Sequence, residues 1–211
     1  MGMPRTWKVP ALACAASVLV ACLPPPAFPD AGGKAGGEEK VESRPVQVKL
    51  VDRTLLTQDG KPVRFRTDVV GDRIVVIDTF FTTCGLICPI LGAILMELQE
   101  KVGDRLGGEV ALVSISVDPG TDIPPRLKAY AEQWEARPGW IFLTGGKPDV
   151  DQVLSGLGLY AANFAEHPST FLVGDGKTGE WTRFYGFATP EQLMEKVTEL
   201  TGKRKAGGKA S

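Results

Sequence analysis

Two cysteines and a single histidine dominate the chemistry available to this chain. Cys84 and Cys88 lie four residues apart in the segment Phe80-Phe-Thr-Thr-Cys-Gly-Leu-Ile-Cys-Pro89, and His167 is the only histidine among 211 residues. A disulfide across so short a loop would stabilise the fold very little, because the stabilisation grows with the length of the loop that is closed. The spacing therefore favours a chemical role, either metal binding or thiol–disulfide exchange.

The cysteine pair is predicted to lie where a buried strand gives way to a helix. The β-branched run 73–78 is typical of a buried strand and leads towards Cys84. Pro89 suits the first turn of a helix, where its missing N–H is not needed. The positive end of a helix favours thiolate, so we expect lowered pKa values for both Cys84 and Cys88.

The hydrophobic pattern around this segment predicts an α/β domain, namely a thioredoxin-like fold with an N-terminal β-hairpin addition. Residues 46–65 alternate polar and apolar side chains around Asp59-Gly60, which is typical of a hairpin. The further predicted strands are 73–78, 110–117, 140–143, 170–173 and 182–185. The predicted helices are 89–106, 126–136, 149–157 and 190–200.

His167 is a candidate third ligand because of its place in this predicted fold. It lies in Ala165-Glu-His-Pro168, directly before the predicted strand 170–173. A lone histidine is more often a surface residue, but in a thioredoxin-like fold this loop faces the helix that carries the cysteines. Two thiolates and one imidazole suit Cu(I).

Several neighbouring residues are candidates to support the ligands through their contacts. Asp78 and Asp118 end predicted strands at the edge where sites form in such sheets. For Asp118, which precedes Pro119, a turn or helix-capping role is an equal alternative. The candidates are Asp78, Pro89, Asp118 and Glu166.

The N-terminal segment is predicted to be a signal peptide, residues 1–21. Arg5 and Lys8 precede an apolar run that is short for a transmembrane helix of roughly 20 residues. Leu19-Val-Ala-Cys22 resembles a bacterial lipobox, so we expect cleavage before Cys22 and lipidation of that cysteine. This predicts a lipid-anchored protein on the extracytoplasmic face of a bacterial membrane, with a membrane-spanning signal anchor as the alternative.

The remaining boundaries follow from composition. Residues 22–45 are rich in Pro, Gly and charge, which predicts a flexible tether. We expect the folded domain to cover 46–202 and a frayed basic tail to cover 203–211. With 24 Lys+Arg against 25 Asp+Glu the net charge is -1, so the chain has no basic excess for binding nucleic acid.

With these motifs in place, the chain resembles the Sco/SenC family of copper chaperones over roughly residues 46–202. The resemblance rests on CxxxCP at Cys84–Pro89, on Ser116-Val-Asp-Pro119 after the second core strand, and on the distal His167. It implies a copper ion, as Cu(I) or Cu(II), bound by Cys84, Cys88 and His167. It also implies anchoring outside the cytoplasmic membrane.

The resemblance further implies a partner. Family members help to assemble the dinuclear copper centre in subunit II of cytochrome c oxidase, and another cuproprotein is the alternative recipient. The chain departs from the usual family pattern at Gly85-Leu-Ile87 between the cysteines, which is unusually apolar, and at Glu166 and Pro168, which flank the histidine.

Three other functions compete with copper delivery. A thiol–disulfide oxidoreductase would use Cys84 and Cys88 through a mixed disulfide, although such enzymes usually space their cysteines by two residues, and His167 would not be needed. A cysteine peroxidase is disfavoured, because Ile77 and Phe81 stand where its proline and threonine are expected. Zinc could accept the same ligands, but no activating carboxylate with recognisable spacing accompanies them.

Overall fold

The computed structural model describes residues 41–207, which form one eight-stranded sheet with helices on both faces. The predicted signal peptide, Cys22 and most of the predicted tether lie outside the described residues. The strands are β1 Ser43–Pro45, β2 Thr54–Thr57, β3 Pro62–Arg64, β4 Ile74–Phe80, β5 Val110–Ser116, β6 Trp140–Thr144, β7 Thr170–Asp175 and β8 Trp181–Tyr185. The helices longer than two turns are α1 Ile87–Val102, α2 Pro124–Gln133, α3 Lys147–Leu157 and α4 Pro190–Gly207.

The strand order confirms the predicted α/β arrangement. The sheet runs β1-β8-β7-β4-β5-β6-β2-β3, with β4, β5 and β6 parallel to one another and β7 and β8 antiparallel. The elements after β3 follow the order βαβαβα, then the hairpin β7–β8 and the helix α4. This is the connectivity expected of the thioredoxin-like fold.

The central strand β4 is buried on both faces, which explains its continuous apolar sequence. Successive side chains of a strand point to opposite faces. Ile74 and Val76 accordingly pack in the cluster that holds α1, α2 and α4, whereas Val75 and Ile77 pack in the cluster that holds α3. The sheet is therefore covered by helices on each side, and its functional groups lie at the ends of the strands.

The segments before β4 extend the sheet at both of its edges. The predicted hairpin forms as β2 and β3 around Gly60, whose φ of 73° suits a turn, and β2 pairs antiparallel with β6. At the opposite edge β1 pairs with β8. Residues 43–45 therefore form a strand, and the predicted tether is wrong there, because the edge strand β8 offers its backbone groups for pairing.

The C-terminal helix is longer than its sequence predicts. Helix α4 continues to Gly207, through the residues 203–207 that were expected to fray. Arg204 reaches back to both carboxylate oxygens of Asp175, at 2.6 Å each, and to the carbonyl oxygen of Asp72. These tertiary contacts order a stretch that has little apolar periodicity of its own.

One further element departs from the predictions, since residues 65–70 form a short π-helical turn after the hairpin β2–β3.

Within residues 41–207, none of the helices combines the length and the apolar character that a bilayer-crossing segment requires.

Candidate metal centre

Three loops meet at one edge of the sheet and bring the predicted ligands together. Strands β4 and β5 are parallel and end at this edge, and β7, which is antiparallel to β4, begins there. The loop after β4 carries Cys84, the loop before β7 carries His167, and the loop after β5 lies beside them. The shared edge follows from strand direction alone.

The two cysteines occupy different environments although only four residues separate them. Cys84 lies half-buried in the loop before α1, whereas Cys88 lies in the first turn of α1 and is 1% exposed. The backbone N–H of Cys88 donates to Cys84 Sγ at 3.4 Å, and both side chains are unlinked thiols. Cys84 is thus the sulfur on the solvent side.

The pKa values of the two thiols move in opposite directions. Burial opposes ionisation of Cys84, but hydrogen bonds from the Cys88 side chain and from backbone N–H groups of residues 86–88 outweigh burial and lower its pKa. Burial and the hydrogen bond with Cys84 raise the pKa of Cys88 to about 12. The expectation of two lowered pKa values is confirmed for Cys84 and wrong for Cys88, since burial outweighs the helix terminus there.

His167 lies against Cys88, as its position before β7 predicts, and not on the surface. Its ring is buried, with Nε2 4.0 Å from Cys88 Sγ and Nδ1 3.0 Å from Thr79 Oγ1. Phe81 meets the ring edge-on, with centroids 5.8 Å apart. Burial lowers the pKa of His167, with the backbone of Pro168 acting in the opposite direction, so the ring is neutral at neutral pH.

The spacing of Cys88 and His167 fits a shared metal ion. Metal–sulfur and metal–nitrogen bonds are about 2.3 and 2.0 Å, so two donor atoms 4.0 Å apart can bond to one ion without separating. Within residues 41–207, no three His, Cys, Asp or Glu side chains are already arranged to hold one metal ion. A three-ligand site here therefore needs a movement, and Cys84 is the ligand that lies half-buried in a loop.

Asp78 lies beneath the centre, on the face of β4 that packs against α1. It is 3% exposed, and its Oδ1 has no hydrogen-bond partner in the structure. Burial raises its pKa to about 7, against the opposing effect of hydrogen bonds from Ser114 and from its own backbone. The structure thus places this candidate close enough to Cys88 for its charge to raise the thiol pKa.

Asp118 has the turn role that was its alternative. Its N–H donates to Ser116 Oγ, and its carbonyl accepts from the N–H groups of Thr121 and Asp122, which shapes the approach to α2. Glu166 is exposed and accepts a hydrogen bond from Asn163 Nδ2 at 2.8 Å. Pro89 lies in the first turn of α1 as predicted, one residue after Cys88.

Sequence reasoning missed Asp122, which is a second buried carboxylate at this edge. It is fully buried, and its oxygens accept from Thr82 Oγ1 at 2.5 Å, from Thr82 N and from Ser116 Oγ at 2.7 Å. The sequence offered only a weak signal, namely an Asp two residues before Pro124, where helix α2 begins. Asp122 ties the loop after β5 to the cysteine loop.

The sequence of this chain is similar to that of a curated protein. The "SCO1 protein homolog" of Bacillus subtilis (strain 168) is 33% identical over 102 residues, which are 48% of this chain and 51% of the relative. The aligned part of the chain thus spans about half the length of that curated relative.

Two solved structures share the fold. BsSco, described as a member of the Sco family of cytochrome c oxidase assembly proteins with a disulfide switch, superposes with a TM-score of 0.62 at 24% identity, covering 74% of this chain and 95% of that one. Arabidopsis thaliana ScoI, solved with copper bound, gives 0.59 at 22% identity, covering 71% and 96%.

The family model described as SCO1/SenC matches residues 45–202, which contain Cys84, Cys88 and His167 and nearly all of the described structure. The match covers far more than half of the chain, and the solved structures agree with it in fold. The chain therefore belongs to the SCO1/SenC family.

Proposed function

We propose that this protein binds copper through Cys84, Cys88 and His167 and acts as a metallochaperone. The observation that carries the proposal is the 4.0 Å contact between Cys88 Sγ and His167 Nε2, with Cys84 adjacent to Cys88. Two sulfurs and one neutral imidazole suit soft Cu(I) better than Mg²⁺ or Ca²⁺, which prefer oxygen. The copper-bound structure of the related Arabidopsis ScoI supports the choice of metal.

The unequal thiols suggest an order for loading. Cys84, with its lowered pKa and solvent-side position, offers a thiolate first. Cys88 has a pKa near 12 and ligates by releasing its proton to solvent as the metal bonds to sulfur. His167 then supplies a nitrogen lone pair without having to release a proton, because its pKa is lowered and the ring is neutral.

The proposed recipient is the dinuclear copper site of cytochrome c oxidase subunit II. Support comes from BsSco, described as belonging to a family of cytochrome c oxidase assembly proteins. Apolar side chains close to the ligands also suit protein contact. Leu86 is 76% exposed and Phe164 40%, and Phe164 contacts Phe81, which in turn contacts His167.

For attachment, we propose that Cys22 carries lipid and holds the domain at the extracytoplasmic face of a bacterial membrane. The proposal rests on the charged start, the short apolar run and the lipobox-like Leu19-Val-Ala-Cys22. A chain of about 20 residues between Cys22 and β1 would reach on the order of 25 Å. That distance keeps the metal centre near membrane proteins while the domain turns.

Copper stoichiometry of the full chain, reduced and purified in detergent, tests the proposal. We expect one Cu(I) per chain, loss of tight binding in Cys84→Ser and in Cys88→Ser, and weaker binding in His167→Ala, since two thiolates still hold Cu(I). Cys22→Ser is the matched control and should bind like the wild type. Undiminished affinity in Cys84→Ser or Cys88→Ser would rule out this ligand set.

Thiol–disulfide exchange is the second candidate, and the asymmetry of the thiols favours it. A half-buried thiol of lowered pKa beside a fully buried thiol of raised pKa suits attack by Cys84 and resolution by Cys88. The His167→Ala variant separates the two functions when it is assayed both for reduction of a disulfide substrate and for copper binding. Exchange should survive this substitution, whereas copper binding should weaken.

A further inference from the structure

Thr79 of β4 contacts the ring of His167, the one histidine of the chain, at the ring nitrogen that does not face Cys88. Its hydroxyl lies 3.0 Å from His167 Nδ1, and the two residues are 88 positions apart in the chain. Thr79 is 1% exposed in β4 and is paired with Ile115 of β5, so its side chain stands on a rigid part of the sheet. His167, by contrast, lies in a loop, directly after a single 3-10 turn over 164–166.

The contact matters because a neutral imidazole has two forms. One ring nitrogen carries hydrogen and the other carries the lone pair that can bind a metal. In this structure Nε2 faces Cys88 Sγ and Nδ1 faces Thr79 Oγ1. Metal binding beside Cys88 therefore requires hydrogen on Nδ1, and that hydrogen needs an acceptor.

We propose that Thr79 is a positioning residue that accepts the Nδ1–H of His167 and thereby directs the Nε2 lone pair towards Cys88. Metal-ligating histidines generally donate their second N–H to a fixed acceptor, and loss of that acceptor costs about 10- to 100-fold in metal affinity. Here the acceptor is the hydroxyl of Thr79, on the central strand β4. The expected effect on copper affinity rests on the proposed function, whereas the expected effect on the tautomer of His167 does not.

The tautomer can be measured without any metal. Because His167 is the only histidine of the chain, ¹⁵N-histidine labelling gives one pair of ring nitrogens. Long-range ¹H–¹⁵N spectra of the metal-free, reduced full chain in detergent at pH 8 should place hydrogen on Nδ1. Thr79→Val, which keeps the shape and removes the hydroxyl, should move the equilibrium towards hydrogen on Nε2, and Thr79→Ser should restore the wild-type spectrum.

The matched control is Thr144→Val. Thr144 is also buried at a strand end, 2% exposed, but its hydroxyl has no partner in the structure. This variant should leave the His167 spectrum unchanged. It therefore separates loss of the Thr79 hydroxyl from a general effect of a buried Thr→Val change.

Cu(I) affinity by competition with a chelator is the second measurement. We expect Thr79→Val to bind about 10- to 100-fold more weakly, and Thr79→Ser and Thr144→Val to stay close to the wild type. Hydrogen on Nε2 in the wild type would overturn the proposal, and that spectrum decides even if Thr79→Val does not fold. An unchanged tautomer in folded Thr79→Val would also overturn it and would point to another acceptor, such as the backbone of Pro168.

The failures of the two proposals are distinguishable. A wild type that binds no copper, together with a tautomer that changes in Thr79→Val, refutes the copper function and leaves the role of Thr79 in ring orientation. A wild type that binds copper, with equal affinity and equal spectrum in Thr79→Val, refutes the role of Thr79 and leaves the copper function.

Discussion

The carboxylate of Asp122 accepts a hydrogen bond from the hydroxyl of Thr82 at 2.5 Å, across 40 residues of sequence. The same carboxylate accepts the Thr82 N–H and the Ser116 hydroxyl, and Asp122 is fully buried. Thr82 lies two residues before Cys84. The loop after β5 therefore holds in place the loop that carries Cys84, the half-buried thiol on the solvent side.

Asp122→Asn should destabilise the fold and loosen the cysteine loop. The amide retains one acceptor oxygen and loses the charge, and hydrogen bonds to charged groups contribute about 1.5–3 kcal/mol. We expect a loss of about 2 kcal/mol in urea unfolding and faster amide hydrogen exchange at Thr82. Asp118→Asn, in the same loop but with turn contacts made by its backbone, is the control. Equal effects of both substitutions would contradict this role of Asp122.

Asp78 should make the protein less stable as pH rises. Its folded pKa, raised by burial to about 7, lies above the unfolded value of 3.8. The folded state therefore binds this proton more tightly, so the contribution to stability is full below about pH 4, falls between pH 4 and 7, and stays low above pH 7. A shift of this size corresponds to about 4 kcal/mol as an upper estimate.

Urea unfolding of Asp78→Asn at pH 4.5 and pH 8 measures this effect. The variant cannot ionise at this position, so it should gain stability relative to the wild type at pH 8, and the gain should shrink at pH 4.5. Comparing variant with wild type at each pH cancels the other titrating groups. A difference that is the same at both pH values would exclude an ionising Asp78.

The two thiols should react at very different rates. Because the pKa of Cys84 is lowered and that of Cys88 is about 12, Cys84 should be alkylated by iodoacetamide at pH 7 at least tenfold faster. Peptide mass spectrometry measures the label on each of the two cysteines separately. Cys88→Ser should keep a fast-reacting Cys84, and comparable rates at both thiols in the wild type would count against the asymmetry.

Arg204 should contribute strongly to stability although it lies in the C-terminal segment. Its guanidinium pairs with Asp175, whose side chain is 1% exposed. Burial opposes ionisation of Asp175, but the hydrogen bonds from Arg204 outweigh burial and lower its pKa. Arg204→Ala leaves this carboxylate without its cation and should cost on the order of 3 kcal/mol in chemical unfolding. Lys205→Ala, an exposed neighbour, should change little, and a similar loss in both variants would argue against the ion pair.

Mass spectrometry of the native N-terminus tests attachment. We expect a chain that starts at Cys22 and carries acyl groups, because two or three chains anchor firmly where one is marginal. Cys22→Ser should release the protein or leave an uncleaved precursor. An unmodified start downstream of Cys22 would refute lipidation, and an intact Met1 would indicate a membrane-spanning signal anchor.

Local sequence patterns determined the main elements of this protein. The apolar run of β4 predicted a strand buried on both faces, and Pro89 predicted a helix start beside Cys88. The order of strands and helices then placed His167 opposite the cysteines, because strand direction decides which loops share an edge. Such features depend on neighbouring residues and on connectivity, so they can be read from the chain.

Other features were decided only by tertiary structure. The raised pKa of Cys88, the Thr79 contact of His167 and the buried Asp122 depend on residues that are 40 to 88 positions apart, or on burial itself. The strand at 43–45 and the extension of α4 through Arg204 likewise need partners elsewhere in the fold. Local propensity does not predict such partners, because the free energy that orders these residues comes from groups that only folding brings together.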